Sequence, residues 1–455
     1  MDIVLSPAAQ RLVAALGALL LLLVAVLAPE YMIMLMPLLV LLVAALALYQ
    51  FPVALVVAMV LVYGLAIDIQ LDLMVEGGSA SRTAALGAAV VKVVPFAVAA
   101  VLILRYGFSR APNWPFLAFT AIAGLSIAIL PIGRVAGMGD MIRSFIGSAA
   151  PFALGFALAP RRIWTAICRG ATFVPIISAG FGLLAGIVGL YPPFDEFGRF
   201  QGLHSPPFLA GFCTTAIFAA TLEYLRGFRA RWLIIGGLDL AILLATQARA
   251  PFGAVTLFLV LVFFFSGPRT FPLKRKVDLV MGGTIPGMLL LGPFLAYALD
   301  RFTAMGENYS GRDIIWPYFL DAIERRPLFG FGLGAGKLIV NPDDPTIRLI
   351  GSNAAHNEYL RLSVDAGIVG CAGIFLSIIL WVWIGSRQAR PADRLVLRAA
   401  LAAALMHSGF DNTLIASTAV MQFTWFAAAL ARARMEAEPS RQGPHRIARH
   451  LQAAG

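Results

Sequence analysis

The feature that most constrains this chain is a series of long apolar runs, each about 17 to 25 residues, the length a helix needs to cross a bilayer. The runs are continuous and do not alternate between apolar and polar residues, which is typical of spanning helices and argues against a barrel. Only 13% of the 455 residues are charged, against about 25% in soluble globular proteins. We therefore expect an all-α, polytopic integral membrane protein.

The distribution of Lys and Arg gives the predicted spans an orientation. Apolar length predicts about 14 spans, the first 11 in residues 1–298 and the last three in residues 367–432. If the N-terminus is cytoplasmic, the basic residues behind the net charge of +11 fall into alternate loops on the cytoplasmic side. The basic tail, residues 433–455, lands there too. The charge thus reflects topology in a cell inner membrane, with both termini cytoplasmic and no nucleic-acid partner.

One loop departs from the pattern of short polar connections. Residues 299–366 form the longest polar segment, and alternation puts this segment on the outward face, which is periplasmic in a Gram-negative cell. Within it, Asp313 to Glu324 carries apolar residues at helical spacing and is predicted to be a short helix at the membrane surface. Because topology already explains the cytoplasmic arginines, the outward loops are where charged residues point to function.

Two outward arginines are candidate anion ligands. Arg249 lies in the predicted turn between the ninth and tenth spans, where the positive-inside bias favours no arginine. Its guanidinium matches phosphate oxygens, although snorkelling towards lipid head groups would also explain it. Arg312 precedes the predicted surface helix, and either a ligand role or a salt bridge with Asp313 fits its position. The residues alone leave both alternatives open.

His356 is the outward candidate for proton transfer. Histidine titrates near neutral pH and can act as a general base, whereas a hydrogen-bonded structural histidine is the alternative. No second histidine or cysteine lies at metal-ligand spacing from it. The adjacent pair Asp343 and Asp344 is more typical of a solvated loop than of a cation site. No metal site is therefore predicted.

Four stretches of the C-terminal half form a recognisable set. They are residues 246–250 around Arg249, residues 311–316 around Arg312, the glycine-rich residues 327–334, and residues 356–360, which begin at His356 and are followed by residues 365–370. Together with the many spans and the single long outward loop, they resemble the O-antigen ligase and O-antigen polymerase superfamily of membrane glycosyltransferases. The glycine-rich stretch is expected to be a tight turn beside the substrate.

The resemblance implies a C-type glycosyltransferase fold and an inverting reaction that needs no metal or other cofactor. The donor would be a glycan on polyprenyl (undecaprenyl) diphosphate in a membrane of lipids, and the acceptor a hydroxyl of a glycan or lipid-linked glycan. Arg249 and Arg312 would stabilise the departing diphosphate, while His356 would accept the hydroxyl proton. Further candidates for contact with glycan or phosphate are Arg199, His204, Tyr309 and Trp316.

Three functions compete at this point. A polymerase, the first expectation, joins a lipid-linked chain to another lipid-linked unit. A ligase moves the chain to lipid A-core or another final acceptor, and it needs the same donor chemistry. A transporter or flippase for a lipid-linked sugar would place charges near the membrane midplane and show paired repeats. Only Lys92 and Asp239 lie well inside predicted spans, so an enzyme is favoured over a transporter.

Overall fold

The protein is described here by a computed structural model, which covers residues 49, 51–67, 80–128, 136–282, 311–341, 344–350 and 353–437. Within these ranges the chain is helical and contains no β-strand, only two isolated bridges between loop residues. The all-α prediction is confirmed for this part of the chain. The first two predicted spans, most of the eleventh, and Tyr309 lie outside the described residues.

The α-helices of the described residues are numbered in chain order, and three short 3-10 segments connect some of them. The 3-10 segments are Ala150–Phe156, Ala171–Phe173 and Ala335–Lys337. The helices are α1 (Pro52–Gly64), α2 (Ala80–Tyr106), α3 (Trp114–Ala128), α4 (Met138–Ala149), α5 (Arg161–Gly170), α6 (Val174–Ile187), α7 (Pro206–Gly227), α8 (Ala230–Ala245), α9 (Arg249–Phe265), α10 (Arg312–Arg325), α11 (Pro345–Ile350), α12 (Glu358–Gly385), α13 (Pro391–Ser408) and α14 (Ser417–Ala437).

Three helical stretches of the described chain are long and apolar enough to cross a membrane. They are Arg161–Ile187, which joins α5 and α6, Pro206–Gly227, which is α7, and Glu358–Gly385, which is α12. The shorter helices α1, α3 and α9 are also apolar. These stretches support a membrane protein, whereas the number of about 14 spans stays a prediction.

Helix α7 forms the centre of the helix bundle. Almost every side chain from Leu209 to Leu225 is buried, and the ring of Phe218 lies 4.4 Å from that of Phe258 in α9 and 6.1 Å from Trp425 in α14. A Cβ on Gly211 would lie 2.8 Å from a methyl carbon of Thr418, so glycine allows α7 and α14 to pack closely. Helix α7 thereby holds α9 and α14 in fixed positions.

Helix α12 is broken at Gly367, whose φ of 69° and ψ of 175° are accessible almost only to glycine. The glycine-rich loop after α10 passes through the break and bonds the backbone groups that the helix leaves unpaired. The predicted twelfth span began at Gly367, but α12 begins at Glu358. The helix extends to both sides of Gly367 because the loop forms hydrogen bonds with its backbone at the break. The hydrogen bonds run from Phe331 N to Val364 O (2.9 Å), from Gly332 N to Asp365 O (3.0 Å) and from Ile368 N to Pro327 O (2.7 Å).

Helix α10 corresponds to the predicted helix Asp313 to Glu324, with one further residue at each end. Its buried ridge is Ile315, Phe319 and Ala322, at the spacing of successive helical turns. This ridge packs within a small apolar cluster that includes Val340 and Val364. The helix is thus anchored to the protein, and its position relative to the membrane surface stays a prediction.

Candidate active site

The turn between α13 and α14 brings two of the predicted site residues together. His356 Nδ1 lies 3.7 Å from Asp411 Oδ1, and Arg312 Nη2 donates a hydrogen bond of 2.8 Å to the carbonyl of Phe410. Arg312 and His356, which are far apart in the sequence, therefore both contact the turn at Phe410 and Asp411. An imidazole, a carboxylate and a guanidinium share this corner of the molecule.

The loop before α12 fixes the position of His356. His356 has a φ of +45°, a left-handed conformation that costs energy for a residue other than glycine. On one side of it, the Trp316 indole Nε1 donates a hydrogen bond of 2.8 Å to the carbonyl of Ala355. On the other side, the Asn357 side chain caps α12 by accepting from the Leu360 N–H at 3.2 Å. The constrained backbone presents the half-exposed imidazole to the turn.

Asp411 sits between two histidines. Its Oδ2 lies 3.9 Å from His407 Nε2, and its Oδ1 accepts a hydrogen bond of 2.8 Å from Asn412 N. Burial alone would raise the pKa of Asp411, but the nearby His356 and His407 rings lower this pKa by a larger amount, so the net pKa lies below its ordinary value. Asp411 is therefore an anion at neutral pH, and its carboxylate lies 3.7 Å from the His356 imidazole.

Arg312 enters the site as the first residue of α10, after Gly311 with its φ of 74°. Burial lowers the pKa of its guanidinium, and the charge of Asp411 opposes this effect. Arginine remains protonated despite such a shift. Its Nε is buried and has no hydrogen-bond partner among the described residues. A buried donor without a partner is costly, so this guanidinium is suited to receive an anionic ligand.

Arg249 lies at the same end of the bundle, as the first residue of α9. One turn further on, a Cβ built on Gly253 would lie 3.5 Å from Met406 Cε in α13. Helix α13 ends at Ser408, just before the turn that holds Asp411. The start of α9 therefore neighbours the end of α13, and the exposed Arg249 side chain begins a helix beside the site.

Residues 233–375 match a family model described as O-antigen ligase. Over these residues the chain is similar to the O-antigen ligase family. The matched segment extends from α8 into α12 and includes Arg249, Arg312 and His356, while Asp411 lies beyond it. A comparison with curated proteins finds no match. This similarity, together with the apolar helices, supports a membrane protein with a glycosyltransferase-like role.

Two further candidates, Arg199 and His204, form contacts within the protein that explain their positions without a ligand. Arg199 Nε pairs with Asp195 at 2.7 Å. His204 is 2% exposed, its Nδ1 lies 2.8 Å from Ser178 Oγ, and burial lowers its pKa to about 3. We therefore assign His204 to packing and do not include it in the site proposed below. Of the two aromatic candidates, Trp316 anchors the His356 loop, and Tyr309 lies outside the described residues.

A buried ion network supports the base of the site and was missed from the sequence. Arg361 Nη1 donates to Asp365 Oδ2 at 2.7 Å and Arg361 Nε donates to Glu358 Oε1 at 3.0 Å. The other oxygen of Asp365 accepts from Gly336 N at 2.7 Å, which ties the glycine-rich loop to α12. The spacing of three and four residues along one helix is the signal that could have revealed this network.

The superfamily resemblance implies a reaction without a metal. Among the residues with described positions, no group of three or more His, Cys, Asp or Glu side chains could hold a metal ion. Asp344 caps its own turn by accepting from Thr346 N at 2.8 Å, and Asp343 lies outside the described ranges. Independence from metal stays a prediction, which the experiment below tests.

Proposed function

We propose that this chain is a metal-independent glycosyltransferase that moves a glycan from undecaprenyl diphosphate to a sugar hydroxyl at the periplasmic face, as a surface polysaccharide polymerase. The observation that carries the proposal is the meeting of His356, Asp411 and Arg312 at one turn, at one end of apolar helices. The similarity of residues 233–375 to the O-antigen ligase family supports the same class of reaction.

In the proposed reaction the acceptor hydroxyl oxygen attacks the anomeric carbon of the donor glycan. His356 takes the hydroxyl proton as the new carbon–oxygen bond forms, and the bond to the diphosphate breaks with its electron pair moving to the phosphate oxygen. The Asp411 carboxylate stabilises the imidazolium that results. Attack from the side opposite the leaving group inverts the anomeric centre.

The departing diphosphate carries the largest change of charge in this reaction. Arg312 has a buried Nε without a partner in the described structure, and this donor is suited to a phosphate oxygen. Arg249, at the start of the neighbouring helix, is the second proposed cation. Loss of one hydrogen-bond donor from an oxyanion hole gives the scale: each of the two arginines is expected to stabilise the transition state by on the order of 2–4 kcal/mol.

The test uses purified protein in nanodiscs with an undecaprenyl-diphosphate oligosaccharide, and it measures release of undecaprenyl diphosphate. His356→Ala and Arg312→Ala should each lower turnover by roughly 10²- to 10⁴-fold, and Arg249→Ala should behave like Arg312→Ala. Arg325→Ala is the matched control, because Arg325 lies on α10 in an exposed pair with Asp321. Near-normal turnover in a site variant would remove that residue from the site.

Chelation tests the proposed independence from metal in the same assay. EDTA should leave turnover unchanged, because arginines would take the role of the cation. Loss of turnover in EDTA that Mg²⁺ or Mn²⁺ restores would contradict the proposal and direct attention to Asp343 and Asp344.

A ligase is the second candidate, and the description of the matched family favours it. A ligase would use the same donor-side residues and differ only in the acceptor. Deletion of the gene distinguishes the two functions. Single lipid-linked repeat units should accumulate if the chain is a polymerase, whereas full-length lipid-linked chains should accumulate if it is a ligase.

A further inference from the structure

The end of the bundle opposite His356 contains a strongly basic cavity of about 190 Å³. Helix α13 separates the two ends, with Asp393 in its first turn and His407 in its last, and 18 helical residues span about 27 Å. We call this space the basic cavity. Its lining includes Arg161, Arg169, Arg226, Arg229, Arg390 and Arg432.

Carboxylates neutralise only part of the charge in the basic cavity. Among the described residues, seven arginines and one carboxylate, that of Glu223, line the cavity. Asp393 and Glu436 pair with arginines at its edge, which leaves an excess of four positive charges. The ion pairs are Arg169–Glu223 (2.8 Å), Arg432–Glu223, Arg226–Asp393 (2.5 Å), Arg226–Glu436 (3.0 Å), Arg161–Glu436 (2.7 Å) and Arg390–Glu436 (3.1 Å).

Arg432 is the most deeply buried arginine of the basic cavity. Its side chain is 1% exposed, and its Nη1 donates to Glu223. Its Nε and Nη2 are buried and have no hydrogen-bond partner within the described ranges. Both oxygens of Glu223 are already engaged, by Arg432 and by Arg169. A buried guanidinium with two free donors is costly, and an anionic ligand in the cavity would remove that cost.

The surroundings of the basic cavity favour a lipid as the source of that anion. Arg231 and Trp232 line the cavity at the start of α8. Directly after them on α8, Leu233, Ile234 and Leu238 are exposed apolar side chains. A phosphate in the cavity would thus lie above an apolar helix surface along which an acyl chain could pack. Free phosphate would use the arginines but not this surface.

We propose that the basic cavity binds the phosphate of an anionic phospholipid in the leaflet opposite the proposed transfer site. Basic pockets between membrane helices on the cytoplasmic side recognise such head groups. The positive-inside bias explains arginines at this face. It does not explain a concave site with a buried guanidinium, two of whose nitrogens have no hydrogen-bond partner among the described residues. The proposal takes its leaflet from the proposed transfer site, but lipid binding itself requires neither the transfer reaction nor His356.

The experiment compares two double variants of equal charge. Arg229→Gln/Arg231→Gln removes two exposed cavity arginines that form no ion pair in the described chain. Arg269→Gln/Arg387→Gln is the control and removes two exposed arginines outside the cavity lining. Full-length protein is extracted from nanodiscs of phosphatidylcholine with a minor fraction of phosphatidylglycerol, and bound lipid is measured by native mass spectrometry.

Wild-type protein and the control should retain phosphatidylglycerol in preference to phosphatidylcholine. The cavity variant should bind it about thirtyfold more weakly, since each arginine near a head group contributes about fivefold. Absence of any preference in the wild type, or equal loss in both double variants, would overturn the proposal. So would displacement of the retained lipid by millimolar inorganic phosphate, because the site would then take a free anion.

Discussion

Replacing Asp411 with asparagine tests whether charge on this turn assists proton transfer to His356. The substitution keeps the size of the side chain and removes its negative charge. At the 3.7 Å that separates His356 Nδ1 from Asp411 Oδ1, Coulomb attraction is about 1 kcal/mol in bulk water and about 4 kcal/mol at an effective dielectric constant of 20. The side chains are 38% and 30% exposed, so solvent screening favours the lower part of this range.

We therefore expect Asp411→Asn to cost about 1–2 kcal/mol of transition-state stabilisation, which lowers kcat roughly fivefold to thirtyfold. KM for the lipid-linked donor should change little, because the imidazolium forms only as the proton moves. The assay is steady-state release of undecaprenyl diphosphate by purified protein. Asp321→Asn is the control, since Asp321 is an exposed carboxylate of α10. Wild-type kcat in Asp411→Asn, or a rise in KM alone, would refute this reasoning.

Three further predictions follow from the surrounding structure. Gly367→Ala should destabilise the fold by about 3 kcal/mol or more and abolish transfer, because the new Cβ would lie 2.1 Å from Leu328 O. Gly373→Ala on the same helix should be tolerated, because open space surrounds this glycine. Thermal melting in detergent would compare the two variants. Trp316→Phe should lower kcat severalfold without unfolding, since only the bond to Ala355 O is lost; unchanged kinetics would exclude a positioning role. His204 stays neutral in the folded protein, where its pKa is about 3, whereas the ring in the unfolded chain takes up a proton below its ordinary pKa, so the free energy of unfolding decreases as the pH is lowered. His204→Gln should remove about 2 kcal/mol of this decrease between about pH 8 and pH 5. An identical pH dependence of stability in both proteins would contradict this cause.

The sequence predicts those parts of the fold that depend on local pattern. Helix α10 was predicted to within one residue at each end because its apolar residues recur at helical spacing. The start of α12 at Glu358 was not predicted, because a glycine before an apolar run, such as Gly367, resembles a helix boundary. The backbone continues through Gly367 only because residues 327–332 supply hydrogen bonds from elsewhere in the chain. Such non-local support leaves no mark in periodicity.

The candidate site shows the same division. Arg312 and His356 stood out from the sequence because they lie in the long outward loop, where the positive-inside bias does not explain charged residues, and in stretches that resemble the superfamily. Asp411 did not, because it lies in a short turn after α13, and its contact with His356 arises only when α12 and α13 pack side by side. His204 was misleading for a related reason, since only the fold buries it against Ser178.

The most direct test of the account is a cryo-EM structure of the protein with undecaprenyl diphosphate bound. The account predicts density for the diphosphate at the outward end of α9 and α10, with its oxygens within hydrogen-bond distance of both Arg249 and Arg312 and with His356 facing the space for the acceptor. Diphosphate bound away from both arginines, or at the opposite end of the bundle among the arginines of the basic cavity, would contradict it.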